Sequence, residues 1–246
     1  MSRTLEPSPS WFEIDPAFYA HGGSCFSDLE AEYLGEVDGL RVLVGPVTPE
    51  NRAEEALSLA NLGARVTAWA PDEAAAAPGQ RLAAEAGIDL AWEFGTLEAI
   101  AARAPAAFDL LYHAWGGLDA VDDFDAWAGH AAALLRPGGR LSLYDRHPFA
   151  RVVGLHKGLL VISRAYFRFR DGDNPWTLAD LLTALADAGF ALDAFEEIAG
   201  SERYRTDIDR LPGLSWEQRF RVPSAMIVTA SLAFQPQPVA DAPAPQ

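Results

Sequence analysis

Between Leu40 and Tyr144 the chain alternates short apolar runs with longer stretches of helical periodicity, and this alternation restricts the fold more than any other feature. Arg41-Val42-Leu43-Val44 is a brief, β-branched and apolar run of the kind that forms a strand buried on both faces. Pro49 to Leu62 follows with helical spacing: Ala56, Leu59, Ala60 and Leu62 make an apolar face, Thr48 stands as N-cap before Pro49, and Gly63 closes the helix. The pattern then repeats. Strands are predicted at Ala64–Trp69, Asp89–Phe94, Phe108–His113 and Arg140–Tyr144. Helices are predicted at Glu73–Ala86, Leu97–Arg103 and Asp123–Leu135, the last ended by Arg136-Pro137-Gly138-Gly139. Repeated strand–helix–strand units close into right-handed crossovers, giving a parallel sheet with helices on both faces. Ligands of such sheets sit beyond the carboxyl ends of the strands. Here those ends are Gly45–Thr48, Ala70–Glu73, Gly95–Thr96, His113–Gly117 and Asp145–Phe149.

The second half is less regular. Leu178 to Ala188 is a helix stopped by Gly189, and Phe190–Ile198 and Ala225–Phe234 read as strands that pair antiparallel at the sheet edge. Tyr204 to Pro223 connects them, and a loop that long points to one that covers a site. Residues 1–35 are read as an N-terminal arm or lid carrying Trp11, Phe12, Phe18, Tyr19 and Phe26, and residues 36–234 as one α/β domain. Residues 235–246, which alternate proline with small side chains, are read as a disordered tail.

A chain of 246 residues that is 50% hydrophobic can bury a full core. Its formal net charge of −16 disfavours nucleic acid and anionic membrane as partners, although Arg164, Arg168 and Arg170 form either a solvated face or a local basic patch. Cys25 is the single cysteine, which excludes an intramolecular disulfide and fits a reducing cytoplasm. A lone cysteine beside glycines is read as a packed small side chain. No basic, apolar leader and no membrane-length apolar run is present in the sequence. Metal-ligand spacing, a Gly-x-Ser-x-Gly elbow and a phosphate-binding Gly-Lys-Ser/Thr loop are all missing from it. That argues against a metalloenzyme, a hydrolase of that type and a nucleotide triphosphatase.

Several stretches, in order and spacing, resemble a bacterial small-molecule subfamily of the class I S-adenosylmethionine-dependent methyltransferases. They are LEAEYLGEVDGLRVLV at 29–44, LSLANLGARVTAW at 57–69, AFDLLYHAWGGL at 107–118, WAGHAAALLRPGGRLSLYDRHPFA at 127–150 and WTLADLLTALADAGFALDAFEE at 176–197. LRPGGRL between a helix and a strand is shared across the superfamily; RHPFA directly after that strand is narrower. The resemblance implies a Rossmann-like class I methyltransferase fold with a mostly parallel seven-stranded sheet and the last strand inserted antiparallel. It also implies S-adenosylmethionine as cofactor and a small-molecule pocket under the N-terminal arm and a C-terminal loop.

The positions implied to hold the cofactor are degenerate. The glycine-rich turn after the first strand reads Gly45-Pro46-Val47-Thr48-Pro49-Glu50-Asn51, with one glycine, two prolines that remove backbone donors, and a few extra residues. The acid that would bind the ribose hydroxyls is replaced by Ala70, with Asp72 two residues on as a substitute from the loop. The acid for the adenine amino group is replaced by Thr96, whose hydroxyl can still accept one bond. His113 completes the cofactor positions, and Tyr19, Trp115, Asp145 and His147 are placed at the substrate pocket. His147 is read either as a general base, the one catalytic candidate, or as a ring that fixes the turn with Pro148. Trp115 either stacks on a planar ligand or forms an apolar wall. Asp145 and Arg146 either orient substrate or simply pair on the surface. Three functions are left: a small-molecule methyltransferase with an unconventional pocket, a non-catalytic scaffold that keeps the fold, and an enzyme repurposed for acid–base chemistry.

Overall fold

The computed structural model describes residues 15–168, 175–199, 204, 206 and 208–233. The proposed tail at 235–246, the arm residues Trp11 and Phe12, and Arg170 lie outside these residues. The elements run α1 (Pro16–Ala20), α2 (Asp28–Leu34), β1 (Arg41–Gly45), α3 (Glu54–Asn61), β2 (Arg65–Ala70), α4 (Glu73–Ala86), β3 (Ala91–Phe94), α5 (Leu97–Arg103), β4 (Phe108–His113), α6 (Phe124–Leu134), β5 (Leu135–Arg146), β6 (Val153–His156), β7 (Leu159–Ile162), α7 (Leu178–Asp187), β8 (Phe190–Ile198), α8 (Trp216–Arg219) and β9 (Ala225–Leu232).

Seven strands make one sheet in the order β3-β2-β1-β4-β5-β9-β8. The first five pair in parallel, and β9 lies antiparallel between β5 and β8. This is the predicted Rossmann-like class I methyltransferase architecture, with the order of the strands reversing between β1 and β4. The alternation of side chains along each strand divides the core in two. Leu43, Leu111 and Leu141 point to the face covered by α5, α6 and α7. Val42, Val44, Leu110 and Tyr112 point to the face covered by α3 and α4. Among the described residues no helix is long and apolar enough to cross a membrane.

Three features depart from the sequence reading. The helix expected at Pro49–Leu62 begins only at Glu54. Asn51 and Thr48 exchange side-chain-to-backbone hydrogen bonds across residues 48–51, and Arg52 and Ala53 take positive φ, so the chain turns before it can wind. Thr48 therefore closes a turn and does not cap the helix. Strand β5 begins at Leu135, not Arg140: Pro137-Gly138-Gly139 is carried within a strand whose register to β4 shifts between Phe108 and Leu110. A separate two-stranded sheet, β6–β7, follows β5 where no strand was expected.

Candidate functional site

The carboxyl ends of β1, β4 and β5 converge, and the loops leaving them bring Gly45, Pro46, Val47, His113, Trp115, Asp145 and His147 together. All of these residues are buried. Gly45 is required by the sheet itself, since a Cβ there would lie 2.5 Å from the Trp69 carbonyl oxygen. The same carbonyl accepts the Val47 N–H at 2.7 Å, and the Gly45 carbonyl accepts the Ala114 N–H at 2.8 Å. The loop after β1 thus folds back onto β2 and β4.

Asn51 locks this arrangement. Its amide is fully buried and all its hydrogen-bonding capacity is used: Nδ2 donates to the Pro46 carbonyl at 2.9 Å and the Trp115 carbonyl at 3.2 Å, and Oδ1 accepts from Thr48 N at 3.0 Å and Ala53 N at 3.3 Å. Pro46 is pressed against the β4 loop. At Gly117 a Cβ would stand 2.5 Å from Pro46 Cδ and 2.4 Å from His113 Nε2.

Trp115 is enclosed by aromatic and charged neighbours. Tyr204, from the long connection, stacks on it at 4.8 Å and 20°; Tyr144 lies tilted at 5.1 Å; the Arg146 guanidinium lies 5.4 Å from its ring. Glu55, fully buried at the start of α3, accepts from Trp115 N at 3.3 Å and from the Tyr204 hydroxyl at 3.0 Å.

Asp145, Arg146 and Arg151 are committed to backbone and to neighbouring charges. The burial of Asp145 and Arg146 rules out a simple pairing on the surface. Asp145 is fully buried and accepts three N–H groups, from Gly116 at 2.9 Å, Leu118 at 3.0 Å and Arg146 at 2.7 Å. Burial pushes its pKa up to about 6 against the pull of those donors and the Arg146 charge. Arg146 turns its guanidinium away from Asp145, donating to Asp119 at 2.8 Å and to both oxygens of Glu50 at 2.6 and 2.7 Å. Arg151 also pairs with Asp119, so Arg146 and Arg151 tie three loops together. His147 Nδ1 accepts the Phe149 N–H at 3.1 Å, and Nε2 lies 3.0 Å from Glu197 Oε1. Burial lowers the His147 pKa, opposed by Glu197, so the ring is neutral near pH 7 and caps the turn at Pro148–Val152. His113 packs edge-on against Trp127 at 5.2 Å. Burial pulls its pKa down to about 4, opposed by the Gly117 backbone.

The remaining predicted positions lie apart. Ala70 is fully buried, and its carbonyl accepts the Gly95 N–H at 3.1 Å. Asp72 caps α4, accepting from Ala75 N at 2.8 Å, and Thr96 caps α5, accepting from Ala99 N at 3.2 Å on an exposed turn. Tyr19 is buried in the core layer of α3 and α4, in a different cluster from Trp115. Sequence reasoning passed over Asn51, Glu55, Glu50, Asp119 and Tyr204. Asn51 was legible as a turn former within the loop, whereas Glu55 and Tyr204 gain their roles through contacts 60 and 149 residues apart in sequence, which local pattern does not carry. Among the described residues no three His, Cys, Asp or Glu side chains are grouped to hold a metal ion.

No family model and no curated protein sequence matches the chain. Solved structures do. An S-adenosylmethionine-dependent methyltransferase from Mesorhizobium loti is 22% identical over 82% of this chain and 95% of that one, with a TM-score of 0.62. The cyclase SpnF is 19% identical over 94% of this chain and 86% of that one, with a TM-score of 0.62. Geranyl diphosphate C-methyltransferase from Streptomyces coelicolor is 13% identical over 84% of this chain and 79% of that one, with a TM-score of 0.58. At these identities the likeness is one of fold, and the chain has the class I methyltransferase fold. That fold alone does not fix the reaction, since one of the three proteins is named for a cyclisation.

Proposed function

We propose that this chain is a methyltransferase-fold protein whose crevice is closed to S-adenosylmethionine by its own side chains, and that it serves as a non-catalytic scaffold. The observation that carries this reading is the Asn51 lock, which holds the bulk of Pro46 and Val47, buried, in the turn that the family fills with glycines. The cofactor does not fit the residues present. No carboxylate stands at the end of β2 for the ribose hydroxyls, because Ala70 is buried there and the Asp72 carboxylate is engaged as a helix cap. Two lost charge-assisted hydrogen bonds at about 1.5–3 kcal/mol each weaken binding by roughly a hundredfold to ten-thousandfold before the loop is considered.

The acid–base alternative receives less support from the same geometry. Asp145 is fully buried and accepts three backbone donors, and His147 is buried with Nδ1 on the Phe149 N–H and Nε2 3.0 Å from Glu197 Oε1, so both are engaged with neighbours within the fold. Isothermal titration calorimetry with S-adenosylmethionine and S-adenosylhomocysteine tests the proposal. The expected result is no saturable binding tighter than about 0.1 mM, or about −5.5 kcal/mol. A dissociation constant in the low micromolar range would return the chain to the active methyltransferases.

A further inference from the structure

The charge of the chain is segregated. From Arg146 to Arg168 the sequence holds Arg146, Arg151, Lys157, Arg164 and Arg168 and not one aspartate or glutamate, in a protein with 35 acids and 19 lysines and arginines. Arg146 and Arg151 are spent on Glu50 and Asp119, but Lys157, Arg164 and Arg168 are exposed. Lys157 lies in the turn of the β6–β7 hairpin, Lys157-Gly158, both at positive φ, and Arg164 and Arg168 follow its second strand.

The same hairpin exposes aliphatic side chains. Leu159 is 66% exposed and Ile162 is 63% exposed, with Val161 between them also exposed. Successive residues of a strand point to opposite faces, so Leu159 and Val161 stand on one face of the ribbon and Leu160 and Ile162 on the other. Leu160 is half-buried against Ala150, Val153 and Ile208 at the base, but Ile162 on the same face is not covered. The Leu160 face thus rests on the body of the protein, where the Gly158 carbonyl also accepts from Gln218 Nε2 at 2.6 Å, and the outward face of β7 presents Leu159 and Val161, with Ile162 exposed at the end of the strand.

We propose that the β6–β7 hairpin is a membrane-surface anchor that inserts Leu159, Val161 and Ile162 at the acyl boundary of an anionic lipid bilayer, with Lys157, Arg164 and Arg168 on the headgroups. The net charge of −16 does not oppose this as strongly as its size implies, because repulsion from the acidic body is screened beyond a Debye length of about 8 Å at physiological salt. What acts on a bilayer is the local charge of the part that touches it, and that part is basic and aliphatic together, the pairing an interfacial segment requires. The inference is independent of whether the crevice binds a cofactor.

Co-sedimentation of the full chain with vesicles tests it. The vesicles are phosphatidylcholine alone, or phosphatidylcholine with about a third phosphatidylserine, at low and at physiological salt. Partition is expected onto the anionic vesicles only, weakening as salt rises. Leu159→Ser with Ile162→Ser is expected to lower it by about a hundredfold. Lys157→Glu with Arg164→Glu keeps every apolar group and is expected to lower it at least about fivefold for each charge removed. All four positions are exposed, so circular dichroism is expected to be unchanged. No partition of the unsubstituted chain at low salt overturns the proposal. So does partition that neither variant alters. A dimer that light scattering shows dissolving in the aliphatic variant, without any vesicle binding by the parent, overturns it and assigns the patch to a second copy of the chain.

Discussion

Replacing Asn51 by alanine removes four hydrogen bonds at one stroke, two from Nδ2 to the carbonyls of Pro46 and Trp115 and two into Oδ1 from the N–H groups of Thr48 and Ala53. Each is worth about 1 kcal/mol net, and the Pro46 and Trp115 carbonyls are left in a buried environment without their donor. The expected destabilisation is about 4 kcal/mol, a large share of the roughly 5–15 kcal/mol that holds a domain folded. With a urea dependence of about 3 kcal/mol per molar, the unfolding midpoint falls by about 1 M. Asn51→Asp is the stricter test. It keeps both acceptor bonds but loses both donors and sets a charge against two carbonyl oxygens, so it is expected to destabilise at least as much as alanine. A loss below about 1 kcal/mol for alanine, or an aspartate variant as stable as the parent, would refute the claim that this amide holds the crevice shut.

Ala70→Asp places a carboxylate at a fully buried position, so on its own it is expected to lower the melting temperature and to give no thermal shift with S-adenosylmethionine, read by differential scanning fluorimetry. Combined with a glycine-rich replacement of Pro46 to Pro49 it is expected to recover a measurable shift; none in the folded double variant would mean the crevice has been reshaped beyond its cofactor contacts. Asp145 has its folded pKa raised from 3.8 to about 6, so its contribution to stability is full below pH 4 and is lost as pH rises through 6. Asp145→Asn is therefore expected to gain about 2 kcal/mol relative to the parent between pH 4 and 6 in urea titrations, and a constant difference would contradict the assignment. His113, lowered to about 4, acts in the opposite sense: its contribution is full above pH 6.5 and is lost as pH falls toward 4, so the parent chain is expected to show a shallower pH profile than Asp145→Asn, in which only the His113 contribution remains. Gly117→Ala meets His113 and Pro46 and is expected to destabilise by about 1–3 kcal/mol, whereas Gly129→Ala, exposed on α6 with open space around it, is expected to stabilise by about 0.5–1 kcal/mol; equal effects in thermal denaturation would show that Pro46 does not press on the β4 loop.

The sheet was legible because its determinants are local. Val42 to Val44, Leu110 and Leu111, and Leu141 to Leu143 announce buried strands by composition, and Asp72, Thr96, Asp123 and Thr177 cap the helices that follow with bonds spanning three residues. The β6–β7 hairpin escaped for an equally local reason. Its turn places a lysine in the left-handed region where asparagine or aspartate is the usual signal before glycine. The start of α3 was misread because Pro49 and two acids are good first-turn residues, and only the Thr48–Asn51 exchange, followed by positive φ at Arg52 and Ala53, reveals a turn. Which residues stand at the expected cofactor positions could be read from the sequence, but not the contacts that their loops make.

Those contacts follow one physical rule. Open loops at strand ends carry backbone groups that need partners, and in a binding site some of those partners come from the ligand. Here the side chains meet that need themselves. Asp145 takes the Gly116 and Leu118 N–H groups of the β4 loop, Asn51 takes the Pro46 and Trp115 carbonyls, and Glu55 takes the Trp115 N–H. Even the face of Trp115 that a planar molecule would stack on is covered by Tyr204, whose hydroxyl ends on Glu55. Each bond that closes the crevice stabilises the folded chain and must be broken before a ligand can enter, so affinity for any ligand there is reduced by the free energy of opening. If that opening requires the four Asn51 bonds to part, it is about 4 kcal/mol, a roughly thousandfold penalty that applies to S-adenosylmethionine and to every other candidate alike. On the proposed reading, the rigidity such a site gains serves a scaffold at the cost of ligand access.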